Sequence, residues 1–144
     1  MGIVLSMLFM TGLMAVGVLR FRIEYARLTG GAARPMMAFV AGERSKTDVY
    51  LIPPKMADFR LVTGMPVYVD FETAPDRGED VLEWYRRLGL VYAFYNGETD
   101  ACQSLHDFAV NEHLTRAVVP AGDVACPIYP VVFQDPDYII YEIK

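Results

Sequence analysis

MGIVLSMLFMTGLMAVGVLR, residues 1–20, holds no charged side chain before Arg20. An apolar run of about 18 or more residues is long enough to cross the hydrocarbon core of a bilayer as a helix. Such a helix satisfies its own backbone polar groups, as the bilayer interior demands. The stretch therefore predicts a single N-terminal transmembrane helix, tethering the rest of the chain at a membrane surface. Two other readings stay open. A secretory signal would carry a basic n-region and a small-residue cleavage site, yet no Lys or Arg precedes the run. A buried core helix is the other alternative. Gly2 and Ser6 also fit the myristoylation pattern, although one acyl chain adds little to a segment that already spans.

Small and adaptable side chains give this helix a surface for other helices. Thr11 and Ala15 make one small-xxx-small step of the kind that lets backbones approach closely. Met7, Met10 and Met14 share a face and supply a pliable apolar surface. The expected helix-docking face is Met7, Met10, Thr11, Met14 and Ala15, and the expected partners are transmembrane helices of other subunits. Arg20, Arg22, Arg27 and Arg34 follow against the single acid Glu24. This basic cluster suits anionic headgroups, making membrane lipids a second expected partner. By the positive-inside rule it places the following domain in the cytoplasm.

The remainder predicts one small α/β domain over residues 36–144, after a helix with juxtamembrane extension over 1–28 and a linker over 29–35. About 110 residues suffice for one compact domain and not for two. Residues 36–144 hold nine Lys and Arg against seventeen Asp and Glu, a net charge of −8. Such a surface repels phosphate backbones, so nucleic acid is excluded as a partner. Cys102 and Cys126 are too few for a structural zinc site and form no C-x-x-C pair. They are either one disulfide in an oxidising compartment or two buried thiols.

Local signals give the order of elements. Pro35 opens a short helix. Val49-Tyr50-Leu51-Ile52 reads as a buried strand stopped by Pro53-Pro54, and Val67 to Phe71 as a second strand. Val81, Trp84, Tyr85 and Leu88 fall on one stripe of a helix over 78–88, with acids in its first turn, arginines in its last and Gly89 as its stop. Leu90 to Tyr95 predicts a strand, and Thr99 caps a helix to His113. Arg116 to Val119 is a short strand. Val131–Phe133 and Tyr138–Tyr141 flank Asp135-Pro136-Asp137 as an antiparallel hairpin. Strands alternating with helices predict a mostly parallel sheet with that C-terminal β-hairpin at one edge.

Candidate chemistry is sparse. Asp70 and Glu72 fall at the C-terminal end of an expected strand, where open α/β sheets hold ligands. With Arg60 they form a candidate ligand site, although Asp76, Glu79 and Asp80 nearby suit the start of a helix. His106 and His113 lack the H-E-x-x-H spacing for a metal. Ser104, His106 and Asp107 carry triad residue types without a nucleophile elbow. Phe59-Arg60 and Trp84-Tyr85-Arg86-Arg87 set guanidinium groups beside aromatic rings. No catalytic residue, metal or cofactor is expected.

The order from Met36 to Leu88 also carries a resemblance: Asp48-Val49-Tyr50-Leu51-Ile52-Pro53-Pro54, then Asp58-Phe59-Arg60, then Val67 to Phe71, then Glu83-Trp84-Tyr85-Arg86-Arg87. With the final hairpin, it resembles the C-terminal soluble domain after the last span of large bacterial multi-spanning membrane proteins, glycosyltransferase-like or uncharacterised. That resemblance implies a domain outside the cytoplasm at the bacterial inner membrane, opposing the arginine signal. It also implies an accessory part, since the catalytic carboxylates of that class lie in loops absent here. The expected function is a non-catalytic, single-pass accessory subunit of a larger membrane complex of envelope, respiratory or photosynthetic type. The alternative is a membrane-tethered, glycan-related enzyme or binding module.

Overall fold

A computed structural model of the chain describes residues 2–43, 45, 47–122 and 126–144, without the side chains of 2–6, 8 and 24–30. The chain divides into two units, Met1–Arg34 and Pro35–Lys144.

The first unit is helix α1, Gly2–Gly30. Its large apolar described side chains are exposed, Met7 at 69 % and Met14 at 77 % among them. The Thr11 hydroxyl turns back to the Met7 carbonyl, 2.8 Å away. Arg20 and Arg22 are exposed, while Ser6 and Arg27 have side chains outside the described residues. The expected single-pass transmembrane helix requires correction. Among the described residues, no helix is long and apolar enough to cross a membrane.

The second unit contains α2 (Arg34–Glu43, whose first residue belongs to the other unit), β1 (Tyr50–Leu51), α3 (Asp58–Thr63), α4 (Gly78–Tyr95), α5 (Ala101–Asn111), β2 (Arg116–Pro120), β3 (Val131–Gln134) and β4 (Tyr138–Glu142). The sheet order is β1-β2-β4-β3. Only β1 and β2 run parallel; β2/β4 and β3/β4 are antiparallel. The sheet is therefore mixed and mostly antiparallel, correcting the mostly parallel sheet expected.

Two segments account for the difference. Val67 to Phe71 forms no strand and meets β1 through one bridge, Tyr50 to Val67. Its partner is too short to extend the ladder, because Pro53 and Pro54 carry no N–H to donate. Leu90 to Tyr95 continues α4 rather than forming a strand. A glycine inside a helix costs about 1 kcal/mol relative to alanine. Burial of Leu88, Val91 and Phe94 on one face offsets that cost at Gly89. The helix ends instead at Asn96, and Gly97 takes the left-handed turn at φ 70°.

The hairpin forms as expected, with the Asp135 carboxylate accepting from the Asp137 and Tyr138 N–H groups. Asp100, not Thr99, caps α5 by accepting from the Gln103 N–H at 2.8 Å. A core of Leu51, Leu88, Val91, Phe94, Leu105, Phe108, Val119 and Ile143 fills the space between helices and sheet. The Tyr95 hydroxyl donates to the Val118 carbonyl at 2.6 Å, pinning α4 to β2.

Candidate functional site

Asp70 is buried, and its surroundings define its work. One carboxylate oxygen accepts from the Thr73 N–H at 2.8 Å and from the Thr73 hydroxyl. The other lies 3.8 Å from Arg60 Nη1 on α3. The Asp70 carbonyl accepts from Trp84 Nε1 at 2.9 Å, fastening this turn to α4. A short acidic side chain bonding its own backbone a few residues on is the standard device for closing such a turn. The structure thus brings Arg60 and Asp70 together but leaves Glu72 exposed on the turn.

Between residues 67–75 and the first turns of α4 lies a cleft of about 270 Å³, lined by Tyr68, Thr73, Asp80, Glu83, Trp84 and Arg87 among others. Glu83 and Arg87 in its lining are mutually engaged. Glu83 accepts from Arg86 Nε at 2.7 Å and from Arg87 Nε at 2.8 Å. Those hydrogen bonds hold its pKa down to about 2, so it remains a carboxylate and offers no proton. Arg86 also forks to Glu112 at 2.9 and 3.0 Å, tying α4 to the end of α5. Arg87 lies 5.1 Å from the centre of the Tyr68 ring, a cation–π contact. Burial first, then Glu112, pushes the Tyr68 hydroxyl well above its ordinary pKa. The aromatic and guanidinium runs of the sequence thus become the braces between α4, α5 and the 67–75 segment.

The remaining candidates separate. His106 is exposed on α5, and His113 lies past its C-cap at φ 57°, so the two share no helix face. Ser104 donates to Thr99, while Asp107 accepts from Gln103. Among the described residues, no three His, Cys, Asp or Glu side chains gather as a metal site. Cys102 and Cys126 form a disulfide joining the first turn of α5 to the approach to β3.

One polar centre had no signal in the local sequence patterns. Arg116 opens β2 in register with Tyr50 on β1 and Glu142 on β4. Buried Arg116 lies 3.4 Å from buried Asp48, 3.5 Å from Glu142 and 4.0 Å from Glu43. Lys144 adds a second cation, 3.1 Å from Glu142 and 3.9 Å from Asp48. Burial alone would raise the Asp48 pKa; the Ser45 and Thr115 hydroxyls and Arg116 outweigh it and lower it. Burial and then Asp48 push the Tyr50 hydroxyl up to about 12. The centre closes one end of the sheet. Its signal was a register one: 68 residues separate Asp48 from Arg116, and only parallel pairing of β1 with β2 joins them.

Residues 31–91 match the model of a family described as a domain of unknown function, DUF6798. That stretch, under half the chain, spans α2, β1, α3, the Asp70 turn and most of α4. No curated protein and no solved structure matches the chain.

A structural assignment for Asp70 makes a measurable difference. Asp70→Ala strands two Thr73 donors and is expected to cost about 1–3 kcal/mol. Asp70→Asn keeps an acceptor oxygen and should cost less, and Glu72→Gln should change nothing. Urea denaturation of the three variants checks this order; an unchanged midpoint for Asp70→Ala would refute it.

Proposed function

We propose that the chain is a non-catalytic accessory subunit of a larger assembly, joined to it through the apolar surface of α1. The observation that carries this reading is the exposure of α1. Met7, Phe9, Met10, Leu13, Met14, Val16, Val18 and Leu19 are all more than half exposed on one helix. An apolar surface of this extent in water marks an interaction site. A helix apolar all round is one that a larger structure buries. Thr11 and Ala15 leave room for a partner helix to come close.

The α/β unit supports the same reading from the other side. Asp70, Glu83 and Asp48 are each bound to partners that brace the fold, which suits a covering role. Its disulfide supports an oxidising, extracytoplasmic setting for this unit. The resemblance to a domain that accompanies a larger membrane protein points the same way.

Gentle purification of the tagged chain from its native cell tests the proposal. The expected result is a larger complex in fixed proportion, from which a Met10→Lys, Met14→Lys variant is released with its α/β unit still folded. A chain recovered only as a monomer, or held only by phosphatidylcholine vesicles, would overturn it.

A further inference from the structure

Helix α4 carries a second apolar face that the core does not use. Its inner side buries Leu88, Val91 and Phe94. On its outer side Leu82, Tyr85, Gly89 and Tyr92 recur at i, i+3, i+7 and i+10, which places them on one face. Leu82 is 75 % exposed and Tyr85 73 %. Phe71 meets the edge of Tyr92 at 5.9 Å and widens the stripe sideways.

Gly89 sits in the middle of this stripe, and nothing among the described residues requires it there. Its φ is not positive, and a Cβ built on it would meet no atom within 4 Å. Neither backbone conformation nor packing among the described residues requires glycine there, so an alanine would keep the helix and remove the penalty. Glycine also serves where another backbone or side chain must approach closely. Between Tyr85 and Tyr92 it leaves a notch open to the outside.

The charge at the N-terminal end of the stripe is mostly negative. Glu72, Asp76, Glu79 and Asp80 are exposed around its N-terminal end, with Arg77 the cation among them. Arg86 and Arg87, further along, are held by Glu83 and Glu112. A second copy would bring another acidic unit of net charge −8 against the first, which disfavours self-association.

We propose that this face docks a helix of a protein partner, seated against Gly89, with basic residues turned toward Glu79 and Asp80. The inference rests on the chain being part of a larger assembly but concerns a different surface from α1. Apolar burial along Leu82, Tyr85 and Tyr92 supplies the affinity, and the acidic end sets the direction of the bound helix.

Photo-cross-linking of the full chain in its native cell tests this. The photoreactive probe p-benzoylphenylalanine replaces Tyr85 in one variant and the exposed Gln103 of α5 in another. The expected product is a single protein joined at position 85 and not at 103, through a helical segment bearing Lys or Arg. Gly89→Ala should raise the Tm of the isolated chain and yet cut that product about tenfold. A product with a second copy or with lipid, no product, or a yield unaffected by Gly89→Ala overturns the proposal. Co-purification through α1 without a product at position 85 removes the α4 face alone and leaves the accessory role standing.

Discussion

Arg116→Met is expected to destabilise the α/β unit by about 3–5 kcal/mol at pH 7, the usual consequence of removing one partner from a buried ion pair. The cost comes from what remains. Asp48 is 2 % exposed, and without the guanidinium its charge is met by Lys144 at 3.9 Å and by the Ser45 and Thr115 hydroxyls. The direction with pH follows from the two pKa values. In the native protein Asp48 titrates below its ordinary 3.8. It therefore contributes stability that is present above about pH 3.8 and lost as pH falls through the lowered folded value. In the variant Arg116 no longer lowers the folded pKa, so it rises and protonating Asp48 costs the variant less than the native protein. The gap between native and variant proteins should accordingly shrink from pH 7 to pH 4. Adding Asp48→Asn to Arg116→Met should recover part of the loss, because the uncompensated charge is gone. Urea denaturation at the two pH values measures all three effects. An equal loss at pH 4 and pH 7 would show that Arg116 acts through packing and not through charge.

The same centre shows what the sequence could and could not disclose. Elements whose signals are local emerged from it directly: the Pro35 helix, the acidic start of α4, and the hairpin around Asp135-Pro136-Asp137. Errors arose where a local signal competed with burial. Gly89 reads as a helix stop, yet Leu88, Val91 and Phe94 carry α4 past it. Val67 to Phe71 has strand composition, yet strand formation needs a partner with free donors, and Pro53-Pro54 removes them. The short α3 lacked enough turns to show periodicity. For α1, apolar composition suggested a span, whereas no helix among the described residues is long and apolar enough to cross a membrane.

The candidate site was legible in part. Arg60 and Asp70 do come together, because the turn after residue 69 folds back toward α3. Glu72 does not join them, since alternation along a strand cannot be assumed where no strand forms. Residue types alone also concealed the role of Asp70. A carboxylate at the end of a strand is equally suited to bind a ligand or to close a turn. Only the paired bonds to Thr73 and the Trp84 bond to its carbonyl separate the two. The Asp48–Arg116 pair lay beyond any local pattern, since its members meet through the register of β1 on β2.

Opening the Cys102–Cys126 disulfide is the other change with a large expected effect. The bridge spans 24 residues and encloses most of α5 and all of β2, an inner strand of the sheet that carries Arg116. A closed loop of that size limits the unfolded chain by about 3 kcal/mol, within a factor set by residual structure in the unfolded state. Core packing is largely retained on reduction, because Cys126 is buried among Leu114, Tyr141 and Ile143 and a free thiol occupies the same place as a small apolar group. Reduction of the native chain and a Cys102→Ala, Cys126→Ala double variant should therefore lower the Tm by similar amounts, about 10 °C or more. Since the loss arises in the unfolded state, the native circular dichroism spectrum should be unchanged at low temperature. Thermal melts with and without reductant, with thiols counted by mass after alkylation, measure it. Full reduction with an unmoved Tm would mean that the bridge does not stabilise the fold, and would remove the support it lends to an oxidising setting for the α/β unit.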